Sequence, residues 1–288
     1  FDESRHSKLF PADLRPQAHE IIRTWAFYTI AKAYLHSLPN KNDPSQQSQI
    51  ATLPQGEGDK RDKSVPWENL MISGWCLASD KTKMSKSKGN IITPASLIKE
   101  KSSDVVRYWA SASNLGADIA YSEELFKIGG KLITKLFNSA KFCSMNFNLL
   151  KDDAEICEGF DHWILGKLNQ TIENSKKEFL KFEYAKAREI IEEFFWHYFC
   201  DNYLEICKVR SYGILAEKLV GVDLSDEQKQ EISRQQVSAI ATLHICLNNL
   251  LKLFAPFIPH ISEEIYSTIF AEEFRLKTSI HGRGNSPK

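Results

Sequence analysis

The sequence has no excess of charge of either sign: 37 Lys and Arg balance 37 Asp and Glu, for a formal net charge of zero. No overall field draws the chain onto nucleic acid or an anionic surface, so any polyanion binding falls to local patches. Paired cysteines are also missing. The six, at 76, 143, 157, 200, 207 and 246, include no Cys-x-x-Cys and have no histidine nearby at zinc-ligand spacing. That argues against a zinc site or a disulfide framework and for reduced core thiols in a cytosolic protein. No apolar run approaches the ~18–20 residues of a membrane span, and Phe1-Asp2-Glu3 begins nothing like a signal peptide, so a cytoplasmic protein off the membrane is expected. The first residue is not methionine, and a piece of something longer is expected.

What is present is ordinary for a soluble globular chain: 288 residues, 42% apolar and 26% charged, long enough for two domains. The most informative stretch is Lys83-Met84-Ser85-Lys86-Ser87-Lys88-Gly89-Asn90, which follows the apolar run Leu70 to Ala78. Its serines and glycine exclude a strand interior or a buried helix, and a mobile loop at a strand's end is expected. Ammoniums on flexible stems suit an anionic ligand whose charge moves during a reaction, polyphosphate above all. A basic cluster of this length also serves as a solvated face, a localisation patch or a nucleic-acid contact. Met84, Gly89 and Asn90 interrupt the charge, however, and a helix-like segment follows from Pro94.

Lys83 to Asn90 as a whole resembles the second signature of the class I aminoacyl-tRNA synthetases, matching its core five residues and the Gly-Asn after them. Asp13 to Trp25 resembles the strand-to-helix turn that lines the adenylate pocket in the valyl branch of subclass Ia. The resemblance implies that Glu20 accepts bonds from ribose hydroxyls, with Gln17 and His19 nearby in the ATP site. Helix capping by an N-terminal acid is the competing reading of Glu20. Ala18 replaces an expected glycine, and Trp75 stands where family members often carry histidine after Ser-Gly.

The implied architecture is α/β then all-α. Residues 1–125 form a partial Rossmann-like parallel-sheet domain, with a mobile insertion over 40–64 and the lysine loop at 83–87; 126–160 form a stem-contact helix and linker; 161–288 form a truncated helical-bundle anticodon-binding domain. Within the first part, 8–16 read as a strand and turn, and Gln17 to Leu38 as a helix apolar on nearly every side and therefore buried. Pro66 to Ala78 reads as a central strand interrupted at Gly74, ending at the sheet's C-terminal edge where ligands bind. Asp104 and Arg107 read as structural. Lys127, Lys131, Lys135 and Lys141 fall within about a third of a helical circumference, a stripe that either tracks a phosphate backbone or is simply solvated. Asp161 reads as a helix cap, and Ser225-x-x-Gln228 as a capping box opening a long helix. The run Phe195 to Arg210, carrying Lys208 and Arg210, and the run Leu253 to Glu264 look like the anticodon-binding domain, with most of their aromatics core.

The resemblance implies ATP-dependent activation of valine and its transfer to tRNA(Val). Lys83 and Lys86 are the candidate catalytic groups against the leaving diphosphate, helped by substrate-bound Mg²⁺. Ser85 and Ser87 donate hydrogen bonds to ATP, Lys127, Lys131, Lys135, Lys208 and Arg210 are candidate tRNA contacts, and no protein-ligated metal is expected. His-x-Gly-His, the family's first signature, occurs at none of the eight histidines. Activity is therefore expected only together with a missing N-terminal half. Isoleucine is the alternative amino acid, and a non-catalytic tRNA-binding remnant the alternative role.

Overall fold

A computed structural model describes residues 3–37, 65–150, 154–213 and 224–270. The expected insertion 40–64 and the C-terminal run 282–288 lie outside the described residues. The chain divides into two compact units, Phe1–Lys83 with Asn114–Ala120, and Met84–Ser113 with Tyr121–Lys288.

In the first unit, helix α1 (Glu3–Leu9) leads into strand β1 (Ala12–Ala18), a 3-10 turn (His19–Ile21), a π-helical turn (Ile22–Ala26) and helix α2 (Phe27–Ser37). Strand β2 (Trp67–Ser73) pairs parallel to β1 from Ala12↔Trp67 to Ala18↔Ser73. Strand β3 (Cys76–Leu77) pairs parallel to β4 (Ile119–Ala120). The chain breaks between β2 and β3 at Gly74, as the sequence indicates, for a steric reason. A Cβ there would collide with the Ala117 carbonyl oxygen, while Trp75 N–H donates to Asp118 Oδ1 at 2.7 Å and Ile119 N–H to Trp75 O at 2.9 Å. Only glycine lets the two backbones approach so closely.

Two expectations for this unit are corrected. The strand runs through Gln17 and Ala18, two residues past Pro16, because the ladder with β2 continues to Ser73 and proline is tolerated on a strand with a free edge. The helical stretch after it is largely exposed rather than buried: Trp25 is 48% exposed and Phe27 60%, and of 19–36 only Ala26 is buried. Apolar faces are covered only where something wide enough lies over them. Among the described residues this unit offers two two-stranded sheets and a short helix.

The second unit is helical: α3 (Pro94–Lys101), α4 (Ser103–Ala110), α5 (Glu123–Ser144), α6 (Gly159–Leu180), α7 (Tyr184–Glu193), a ten-residue π-helical segment (Phe194–Tyr203), α8 (Leu204–Tyr212), α9 (Asp226–Phe254) and α10 (Pro259–Ile269). Thr93 caps α3, with Pro94 at its first turn. The Ser225–Gln228 capping box opens α9: Gln228 N–H donates to Ser225 Oγ at 3.3 Å, and Ser225 N–H to Gln228 Oε1 at 2.9 Å. One core joins Leu136 of α5, Ile164 and Leu168 of α6, Phe195 and Phe199 of the π segment, and Leu247 and Phe254 of α9. Full burial of each such side chain stabilises by roughly 1.5–3 kcal/mol, so the aromatics of this region are core, as their spacing suggests. By length and composition α9 does suffice to cross a bilayer, contrary to the expectation of no such run. Yet 61% of its most apolar window is buried inside the bundle, where it is the central helix.

Asp104 and Arg107 brace the start of α10. Asp104 accepts from His260 N–H at 3.2 Å and Ile261 N–H at 2.7 Å, and Arg107 donates to Pro256 O at 2.7 Å and Phe257 O at 3.2 Å. Asp161, expected as a cap, lies inside the first turn of α6, whose N-cap position is Glu158. It is fully buried and accepts from Tyr203 at 2.6 Å, from Ser238, and from two Arg210 nitrogens at 2.6 and 3.0 Å. Cys143, Cys200, Cys207 and Cys246 are buried, and burial pushes Cys200 up to about 11 and Cys207 to about 12. Cys76 is exposed and Cys157 half-buried, so these two are not core thiols.

Candidate functional site

Parallel pairing of β1 and β2 brings the ends of both strands to one edge, with Ala18 opposite Ser73, and the residues that follow each strand meet there. His19 Nδ1 lies 3.3 Å from Ser73 O, and its ring packs edge-on against Trp75 with centroids 4.9 Å apart. A tight turn returns the chain: Ala78 N–H donates to Thr82 O, Asp80 Oδ1 accepts from Thr82 N–H and hydroxyl, and Leu77 bridges antiparallel to Lys83. Lys83 Nζ therefore stands 3.7 Å from the Trp75 ring centroid and 4.0 Å from Glu20. At 64% and 47% side-chain exposure the Lys83–Glu20 pair is solvent-screened and holds neither group firmly.

Gln17 is the unusual member of this edge. Its residue is 8% exposed, and neither its Oε1 nor its Nε2 has a hydrogen-bond partner among the described residues. A buried amide left unsatisfied costs ~1–3 kcal/mol, a cost that a ligand with matching donors and acceptors removes. The edge thus combines an unpaired buried amide, an imidazole, an exposed carboxylate and an ammonium, a set able to engage hydroxyls and phosphates together.

In the second unit, residues 85–90 fold on themselves. Ser85 N–H donates to Asn90 Oδ1 at 2.9 Å, Ser85 Oγ accepts from Lys88 N–H at 3.2 Å and lies 3.2 Å from Ser87 Oγ. Lys86–Lys88 form a 3-10 turn closed by Gly89 at φ 66°, a left-handed conformation suited to glycine. Lys86, Ser87 and Lys88 are exposed, and among the described residues neither Lys86 nor Lys88 has a carboxylate partner. Of the predicted ATP-site residues, Gln17, His19, Glu20 and Lys83 gather in the first unit, and Ser85, Lys86 and Ser87 in the turn of the second.

Two family models match the chain: "tRNA synthetases class I (I, L, M and V)" over residues 2–122, and "Anticodon-binding domain of tRNA ligase" over residues 161–286. The chain belongs to the class I tRNA synthetases. Within that family, it is 45% identical to a valine–tRNA ligase of Rickettsia akari over 99% of its own length, and 44% identical to one of Rickettsia felis over 99%. It spans 31% and 29% of the lengths of those relatives. Among solved structures, a Mycobacterium tuberculosis methionyl-tRNA synthetase in complex with methionyl-adenylate superposes with a TM-score of 0.63 at 21% identity, covering 92% of this chain and 46% of that one. A LeuRS–tRNA–LeuAMS ternary complex of Agrobacterium radiobacter K84 gives 0.61 at 17%, covering 93% and 28%. These two carry the fold only.

The candidate tRNA contacts of this synthetase chain sit in different settings. Lys127 and Lys131 are exposed on α5, and Lys135 is half-buried. Lys208 Nζ is bonded at 2.6 Å to both oxygens of Glu205, one turn earlier. Arg210 is 17% exposed and forked onto Asp161, so its guanidinium braces the bundle. Sequence reasoning did not find the roles of Trp75 and Asn90 in shaping the lysine segment. Asn90 had a signal, as the residue that completes the signature.

Proposed function

We propose that this chain is the lysine-loop part of a class I catalytic domain with its helical tRNA-binding domain, and that it works in ATP-dependent activation of valine and transfer to tRNA(Val). The observation that carries the reading is the self-closed Ser85–Asn90 turn with the Lys86 and Lys88 ammoniums exposed and without carboxylate partners among the described residues. The near-complete alignment with valine–tRNA ligases at 45% identity supports valine over isoleucine. ATP as substrate is supported by the buried unpaired Gln17 amide beside His19 and Glu20, and by the adenylate held by the methionyl enzyme of the same fold.

In this reading the valine carboxylate attacks the α-phosphate, a new carboxyl–phosphorus bond forms, and the bond to diphosphate breaks. A terminal ribose hydroxyl of tRNA then displaces AMP. Protein groups form no covalent bond; they orient reactants and neutralise growing charge. The reading assigns Lys86 and Lys83 to neutralising the departing diphosphate of an ATP that carries its own Mg²⁺, Ser85 and Ser87 to hydroxyl donation, and Glu20 to the ribose hydroxyls. Lys127, Lys131 and Lys135 form a basic strip for the tRNA backbone, with Lys208 at the bundle. A cytoplasmic setting is part of this proposal.

The chain contains no His-x-Gly-His, which favours a second reading, an RNA-binding chain that does not activate amino acid. Mixing the chain with a separately produced N-terminal synthetase half and measuring ATP–pyrophosphate exchange separates the two. Restored, valine-dependent exchange supports the enzyme portion; tRNA retention on a gel without exchange supports the second reading.

A further inference from the structure

The division between the two units falls inside the lysine signature, between Lys83 and Met84, so the self-closed turn over 85–90 belongs with the helical bundle. The route from turn to bundle is short. Ile91–Thr93 lead into α3, and a single residue, Ser102 at φ 85°, both closes α3, with its N–H on Ile98 O at 3.0 Å, and caps α4. Lys101 Nζ, bonded to Glu123 Oε1 at 2.7 Å, ties the end of α3 to the start of α5. Helix α4 is then held along its length by other helices. Asp104 and Arg107 fix it to the α9–α10 corner. Tyr108 is clamped by α7 at three points: Arg188 Nη1 donates to its carbonyl oxygen at 3.1 Å, the same guanidinium lies 4.4 Å over its ring, and its hydroxyl donates to Glu192 Oε2 at 3.1 Å. Arg188 Nη1 also reaches Ser111 Oγ at 3.4 Å, and Arg188 Nε pairs with Glu192 Oε1 at 3.0 Å by charge, without the geometry of a hydrogen bond. Tyr108 and Arg188 are 2% and 6% exposed, and Gly129 of α5 packs so closely on the Tyr108 ring that a Cβ there would collide with it.

We infer that Arg188, with Glu192, is a positioning residue for the lysine turn: through Tyr108 it fixes α4, and through α4 and α3 the place from which Lys86 and Lys88 extend. The inference rests on the diphosphate reading of that turn and deepens it. Burying a guanidinium and a carboxylate together is costly, and a packed apolar pair would hold α7 to α4 without that cost. What the planar fork adds is direction. It fixes a carbonyl and a hydroxyl at the C-terminal end of α4 at once, so α4 can neither slide nor rotate against α7. With three residues between turn and α3, and one between α3 and α4, any shift of α4 is carried to the lysines. A merely structural ion pair is the competing account, and the two differ in the step they affect. Damage to the helical unit falls on tRNA binding, whereas a displaced turn falls on adenylate formation, in which tRNA takes no part.

Arg188→Met alone would leave Glu192 buried without a counter-charge and could unfold the unit. The test therefore uses Arg188→Lys, which keeps the charge and loses the fork, and the neutral pair Arg188→Met with Glu192→Gln. In the chain itself, amide hydrogen exchange over 85–111 should quicken about tenfold in both variants while the middle of α9 stays as in wild type. In an enzyme containing this segment, valine-dependent ATP–pyrophosphate exchange should fall about tenfold in kcat, with KM for ATP and for valine changed by no more than about twofold. Retention of tRNA on a gel should not change. Wild-type amide protection over 85–111 in both variants overturns the positioning role. Parallel loss of tRNA retention and of α9 protection makes the pair structural and overturns it as well. A loosened 85–111 with a wild-type rate of pyrophosphate exchange leaves the mount standing and overturns instead the diphosphate reading on which it rests.

Discussion

The ammonium of Lys83 rests 3.7 Å from the centre of the Trp75 ring, with His19 packed edge-on against the same indole at 4.9 Å. One side chain thus ties the first lysine of the signature to the ends of β1 and β2. Trp75 is half-buried but Lys83 is exposed, so the cation over the ring is worth about 0.5–1 kcal/mol.

Removing the ring should loosen Lys83 without removing its charge. In an enzyme containing this segment, Trp75→Leu is expected to raise the KM for ATP by about two- to fivefold, the equivalent of that energy, and Trp75→Phe by less. Steady-state pyrophosphate exchange measures it, and an unchanged KM removes Trp75 from the positioning of Lys83.

The buried Asp161–Arg210 pair sets an acid limit on the helical unit. Burial pulls the Asp161 carboxyl up, but bonds from Arg210, Ser238 and Tyr203 outweigh it, and the group sits below its ordinary 3.8. The folded chain therefore binds this proton more weakly than the unfolded chain. The resulting stability is fully present above the unfolded value and is lost as pH falls from there through the folded one. Asp161→Asn should cost about 3–5 kcal/mol at neutral pH by leaving Arg210 without a counter-charge, and should flatten the acid slope. Urea melts followed by helical circular dichroism, repeated down the acid range, report both.

Thiol reactivity should divide by location. Cys76 is exposed, yet partial burial raises its pKa, so it reacts more slowly than a free cysteine at neutral pH and faster as pH rises. Cys143, Cys200, Cys207 and Cys246 should stay unmodified until the bundle unfolds. Mass spectrometry after timed labelling checks the order; early labelling of Cys246 would contradict the packing described.

What was legible in the sequence was local. The Ser225–Gln228 box, the glycine break at 74 and the lysine turn depend on residues within a few positions, and the structure contains all three. The errors arose where distant residues decide. Asp161 suits a helix start by type, but its partners Arg210 and Ser238 lie 49 and 77 residues downstream, and their donors draw it into the core. The stretch after β1 is apolar on nearly every side, but periodicity says nothing of whether a layer covers it. Trp75 was visible only as a departure from pattern; its contact with Lys83 requires the turn over 78–82 that brings the chain back.

The central claim is that the lysine segment stabilises a departing diphosphate. ATP–pyrophosphate exchange by a Lys86→Ala enzyme containing this segment tests it most directly: the account requires a fall of about 10²–10³ in rate with valine binding retained, and a rate equal to wild type would contradict it.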